Sequence, residues 1–194
     1  YGGITTIEKE KRMPTLYVVL ILAALILLWG IATQRRLVSI EELVRNALSQ
    51  IGVQLSSRWD ALKGLVELTK SYDEHEYKTL ESIVAKRSQI GAGSTAQEVE
   101  QQEQSFTQAL SRLIAIGEAY PDLKASNLYG KTMDSVNLYE NQVRRSRMVY
   151  NDSVTKLNRA VRQFPTSLIA GILGFGQRDY LDTDPGKTEM PPLA

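Results

Sequence analysis

The sequence predicts an all-α protein: one N-terminal transmembrane helix, then an antiparallel bundle of three long helices and a short C-terminal helix. Three observations lead there. Residues 16–32 (LYVVLILAALILLWGIA) carry no charge and no proline. The rest of the chain repeats apolar residues in steps of three and four, the period of a helix with one packed face. That pattern is interrupted only at a few helix-breaking sites, around Gly91, Pro121 and Pro165.

The apolar stretch, extended by Thr15 and Thr33, rises roughly 25–28 Å as a helix, close to the ~30 Å hydrocarbon core of a bilayer. Tyr17 and Trp29 lie near its ends, where amphipathic rings favour the headgroup region. A cleaved signal peptide is the alternative, and Gly30-Ile31-Ala32 has the small-x-small form of a cleavage site. Signal cores are shorter, about 7–15 apolar residues, so the segment is expected to stay as an anchor. Lys9, Lys11 and Arg12 precede it; Arg35, Arg36 and Arg45 follow. Basic residues therefore balance, and the positive-inside rule leaves the side of the bundle unresolved, with a slight lean to the extracytoplasmic face.

A first long helix is expected from Glu41 to about Ile90, continuous with the anchor because residues 34–40 contain no strong stop signal. Its stripe is Val44, Leu48, Ile51, Leu55, Trp59, Leu62, Val66 and Thr69, then Leu80 and Ile83 after a polar stretch. Gly91 is the expected C-cap. Thr95 and Glu98 have the spacing of a capping box, which opens a second helix carrying Phe106, Leu110, Leu113, Ile114 and Gly117. It stops near Tyr120-Pro121-Asp122. A third runs from about Leu128 to Phe164 on Val136, Val143, Tyr150, Val154, Leu157 and Val161, and Pro165 ends it.

Short loops make neighbouring helices alternate in direction, so the third helix is expected to lead away from the bilayer and put Pro165 at the far tip. The apolar octet that follows contributes Leu168, Ile169, Ile172, Leu173 and Phe175. It reads as a short helix capping the core, or as a contact patch for a partner or a second membrane. The division is thus 1–14 as an N-terminal segment, 15–33 as the span, 34–178 as the bundle and 179–194 as a mobile tail.

Charged and amide residues fall on or beside the packing faces: Arg58, Asp73, Glu76 and Arg87; Arg112 and Glu118; Glu140, Arg147, Asn151 and Asn158. A buried charge is costly unless paired. Arg/Glu pairs between helices, with the asparagines bonded between them, are therefore expected as structural polar layers that set register. A polar ligand cavity is the sharper alternative, and no spacing singles one out.

Composition excludes several functions. The net charge is +1 with no basic run, which speaks against nucleic acid. Without cysteine, disulfides, thiolate zinc sites and Cys nucleophiles are ruled out. His75-Glu76 begins like a zinc-protease helix, but Thr79 stands where HExxH needs its second histidine, and the chain has one His in all. No nucleophile elbow, P-loop or dinucleotide fingerprint occurs. The expectation is no catalytic residue, no metal, no cofactor and no evident small-molecule substrate.

Three blocks in order, behind an N-terminal anchor, resemble the LemA family: residues 45–87 (RNALSQIGVQLSSRWDALKG…), residues 111–126 (SRLIAIGEAYPDLKAS) and residues 139–175 (YENQVRRSRMVYNDSVTKLNRAVRQFPTSLIAGILGF). The likeness departs at Leu62-Lys63-Gly64, where the family usually has Ile-Pro-Asn, at Leu157 before Asn158, and at Tyr139 before Glu140. The missing proline should straighten the first helix. The resemblance implies a LemA-like bundle on a bacterial cell membrane, single-pass, with no established catalytic residue. The expected role is a non-enzymatic scaffold or adaptor on the lipid bilayer, self-associating as a homo-oligomer or organising other membrane or envelope proteins. A ligand-sensing bundle is the alternative.

Overall fold

The computed structural model describes the backbone of residues 4–182 and the side chains of residues 16–182. The side chains of the basic residues expected before the span, and the tail beyond Asp182, lie outside what it describes. Six helices form the described chain, with no strand among these residues: α1 (Ile4–Thr69), α2 (Glu74–Ala85), α3 (Ala96–Ala119), α4 (Pro121–Lys124), α5 (Asn127–Arg162) and α6 (Thr166–Leu173).

Span and first bundle helix are one element. α1 covers 66 residues, roughly 100 Å at about 1.5 Å per residue. It passes residues 34–40 and 62–64 without a break. Residues 16–29 are apolar on every side and exposed, the pattern of a helix solvated by lipid. This is the one helix among the described residues long and apolar enough to cross a membrane.

The expected helix to Ile90 does not form. It breaks at Lys70–Asp73, where the apolar stripe lapses into polar residues. Tyr72 and Asp73 both donate their backbone N–H to the Thr69 carbonyl, at 2.9 and 2.8 Å. Asp73 then caps α2 by accepting the Glu76 amide at 2.9 Å. Aspartate is a poor helix-interior residue and a strong N-cap, so the local chemistry prefers a turn. Folding back also buries Tyr77 and Leu80 against Leu65 and Val66, which a straight helix would have left in water. Since α2 ends at Ala85, Gly91 caps no helix; it lies in the connector of residues 86–95. That connector presses on α1 at Gly52, where an added Cβ would stand 2.0 Å from the Ile90 carbonyl oxygen.

This extra reversal inverts every later direction. Three core layers record it. At the far end Trp59, Leu62 and Leu65 meet Phe106, Leu113, Ile116 and Val136. In the middle Val44, Ile51 and Leu55 meet Val99, Val143, Tyr150 and Val154. Nearest the span Leu37 meets Ala160 and Ala170. Residue numbers on α3 rise with those on α1, so the two run parallel. Numbers on α5 fall as those on α1 rise, so α5 returns toward the membrane. Pro165 and α6 consequently sit beside the end of the span, not at the far tip. On α3 the stripe includes Ile116, and Ile114 is exposed.

The capping box forms as expected: Glu98 donates its amide to Thr95 Oγ1 at 3.2 Å, and Thr95 donates to Glu98 Oε2 at 2.7 Å. α6 ends at Gly174, whose φ of 76° is left-handed, the geometry of a glycine C-cap. From there an extended strap runs back along α5 and inserts Leu181 into the middle core layer. The tail expected to be mobile from residue 179 is therefore packed through Asp182.

A buried charge cluster and its strap

The middle and far core layers are separated by five charged side chains from three helices. Arg58 stands next to Trp59 on the inward face of α1. Glu100 and Glu103 come from α3, Glu140 and Arg147 from α5. Steps of three and four carry α5 through Glu140, Val143, Arg147, Tyr150 and Val154, so Arg147 cannot avoid the core. Arg58 is 1% exposed, Arg147 2% and Glu103 6%.

Such burial is tolerable only with partners. Arg58 donates to Glu103 from one Nη and to Glu140 from the other. Its guanidinium also lies 3.9 Å from the Phe106 ring centroid, a cation–π contact that a desolvated site strengthens. Trp59 meets the same ring edge-on at 5.0 Å, a favoured aromatic geometry. Arg147 Nη1 donates to Glu100 at 3.2 Å. Its Nη2 lies 3.8 Å from Glu103, an electrostatic contact and not a hydrogen bond. Two guanidiniums thus face three carboxylates. Burial pushes the Glu103 carboxyl above its usual range, against the pull of Arg58 and Arg147. Among the described residues Arg58 Nε, Arg147 Nε and Nη2, Trp59 Nε1 and Gln102 Oε1 are buried without a hydrogen-bond partner.

The strap closes this cluster from one side. Asn158 exchanges two hydrogen bonds with the backbone of Arg178, at 2.9 and 2.8 Å. Asn151 does the same with Leu181, at 2.7 and 2.9 Å. Tyr150 Oη donates to the Asp179 carbonyl at 3.1 Å, and Arg147 donates to that of Asp182. The spacing has a geometric cause. Seven helical residues advance about 10.5 Å, and three extended residues advance about 10 Å. Two asparagines two turns apart therefore meet an extended chain in register.

The other expected polar residues divide. Arg112 pairs with Glu76 at 3.0 Å and Arg87 with Asp60 at 3.0 Å, both partly exposed. Asp73 is the N-cap of α2 and not a layer residue, because its carboxylate is used by a free amide. Glu118 is exposed on α3 and joins no layer. The asparagines serve the strap and not the helix–helix interface. In the α6 patch, Ile169 and Phe175 pack on the proximal core layer, while Leu168, Ile172 and Leu173 stay exposed. Tyr17 and Trp29 are exposed on the span. Sequence reasoning missed Glu103. Its signal was its place in the steps Val99, Glu103, Phe106, Leu110, Leu113, which put it on the same face as the apolar residues.

Chemically the cluster offers guanidiniums and carboxylates that bind one another. His75 is exposed on α2, far along the chain from it. Among the described residues no three His, Asp or Glu side chains are placed to share a metal. A separate polar cleft of about 220 Å³ opens between α1, the 86–95 connector and α3, lined by Ser49, Ser56, Arg87, Ser88 and Gln102 among others.

Comparison with known proteins follows the same outline. Residues 47–193 match the LemA family. The chain is 29% identical over 96 residues to the magnetosome protein MamQ of Magnetospirillum gryphiswaldense, covering 50% of this chain and 35% of that one. It is 30% identical over 80 residues to magnetosome protein MamQ 2 of Paramagnetospirillum magneticum, covering 41% of this chain and 29% of that one. The matched part thus spans about a third of the length of these curated relatives.

Proposed function

The chain belongs to the LemA family, and from that premise we propose that it is a non-enzymatic, membrane-anchored scaffold that self-associates or holds other membrane proteins. One observation carries this reading. The only cluster of buried ionisable groups described in the bundle is spent on itself: each guanidinium is engaged by carboxylates of neighbouring helices, and the strap covers it. Such a cluster sets the pairing and register of three helices. The continuity of α1 supports the same reading, because a partner bound to the bundle is held at a set distance from the bilayer. Crosslinking of the full chain in its native membrane tests it. Recovery of higher oligomers or of a reproducible membrane partner is the expected result. A protein that stays monomeric and recovers no partner sinks it.

A second reading rests on the polar cleft. Gln102 Oε1 is buried without a partner at its edge, an acceptor that a small polar ligand would satisfy. The bundle would then act as a sensor. A small molecule that raises the melting temperature of the full chain, with the rise abolished in Gln102→Leu, is its signature.

A further inference from the structure

From Leu168 to Leu173 α6 carries no polar side chain, yet it covers little of the bundle. Ala170 is buried and Ile169 half-buried, but Leu168 is 58% exposed and Ile172 79%, and Phe164 before the helix is 76% exposed. Leu168 and Ile172 lie four residues apart and so share one side of α6, and Phe164 stands exposed just ahead of its Pro165 N-cap. Large apolar side chains exposed together mark a contact with protein or lipid, and among the described residues no protein covers this side.

Its position says what does. Ile169 Cδ1 comes within 3.8 Å of the place a Cβ on Gly30 would occupy, and Gly30 lies inside the uncharged stretch of the span. Ala170 meets Leu37, which is seven residues, about 10 Å, further from the bilayer centre. α6 therefore reaches down alongside the last turns of the span, at the level of Trp29, a residue that favours the interface. Trp29 and Ile31, the neighbours of Gly30 in the span, are themselves exposed, so both elements present apolar surface where they meet. Arg35, Arg36, Arg159 and Arg162 are exposed at this same end, where basic side chains meet lipid phosphates.

We propose that α6 is a second membrane contact: it lies in the interface of the bilayer that α1 crosses, with Phe164, Leu168 and Ile172 inserted among the acyl chains. The occupant of this apolar face is lipid, because the helix that carries it packs beside the end of the span, at Gly30 and Leu37. Two attachment points, the span and α6, hold the bundle at one orientation to the membrane plane. A single span alone would leave it free to swivel.

The chain has no cysteine, so the test is direct. Full-length protein in nanodiscs of mixed neutral and anionic lipid receives one nitroxide at a time, on Ile172→Cys, on Leu27→Cys in the span and on Asp122→Cys at the far end. Collision with oxygen, which concentrates in lipid, is compared with collision with a water-soluble nickel chelate. The expected result is an oxygen-to-nickel ratio at Ile172 several-fold above that at Asp122 and approaching that at Leu27. A ratio at Ile172 equal to that at Asp122 puts α6 in water and overturns the proposal. Shielding from both reagents means that protein, a second copy included, covers the face, and overturns it equally. Quenching of a bimane on Phe164→Cys by lipids carrying doxyl groups repeats the measurement at a site outside the helix. It keeps the test decisive if the Ile172 variant does not fold.

Discussion

Gly52 and Gly64 sit on the same helix, and replacing each by alanine should move stability in opposite directions. In a helix interior alanine gains about 0.5–1 kcal/mol over glycine. At Gly64 nothing lies within 4 Å of the added methyl, so that gain is kept. At Gly52 the new Cβ would stand 2.0 Å from the Ile90 carbonyl oxygen and 2.8 Å from its carbon. Contact at normal distance needs the connector to move by roughly 1 Å, and overpacking of that kind costs about 1–3 kcal/mol. Since the propensity gain is common to both, the difference between the two variants isolates the clash. For a bundle of this size each kcal/mol shifts Tm by about 2–4 °C. Thermal unfolding of the full chain in nanodiscs, followed by circular dichroism, should raise Tm for Gly64→Ala and lower it for Gly52→Ala. Equal increases in both would show that the connector does not press on α1 and would refute the packing of residues 86–95 against Gly52.

Arg58→Met should cost about 3–5 kcal/mol, chiefly by leaving the buried Glu103 with one fewer cation, and adding Glu103→Leu should recover part of it; a denaturant double-mutant cycle reads the coupling. Because the folded state raises the Glu103 pKa, it binds more protons than the unfolded chain between the ordinary carboxylate value and the raised one. Stability should therefore fall as pH rises through that window, and Glu103→Gln should flatten this part of the Tm–pH profile. Loss of the slope's sign in the wild type would refute the assignment. Asn158→Ala removes both hydrogen bonds to Arg178, about 1–3 kcal/mol of local stability, and should speed amide exchange at residues 178–182 with a smaller change in global Tm. Asn141→Ala, whose amide bonds only its own helix, should leave strap exchange unchanged.

The orientation of α6 illustrates how a correct local reading can yield a wrong place. Pro165 was legible as the end of a helix, and the apolar octet after it as a short helix. Where that helix lies depends on how many times the chain reverses before it. The polar stretch after Thr69 was visible, but whether four polar residues bend or continue a helix is decided by what the next apolar residues can reach. Tyr77 and Leu80 reach Leu65 and Val66 only if the chain turns back. In the same way Glu100 and Glu103 became members of the buried cluster through the register of α3 on α1 and α5. The asparagine pair gave no hint of its extended partner, since nothing local in residues 177–182 marks a packed strap.

Periodicity, charge and helix punctuation by themselves determined the all-α class, the uncharged span, the capping box at Thr95 and the place of Arg58 and Arg147 on packed helix faces. Those properties follow from residues within a turn or two of one another, where helix geometry alone relates position to face. Tertiary structure alone decided the turn at residues 70–73, the parallel course of α1 and α3, the partners of each buried charge, the packed strap and the place of α6 beside the membrane. Each of these depends on which of several possible burials removes most apolar surface and leaves no charge unpaired, and that choice is made by the whole chain at once.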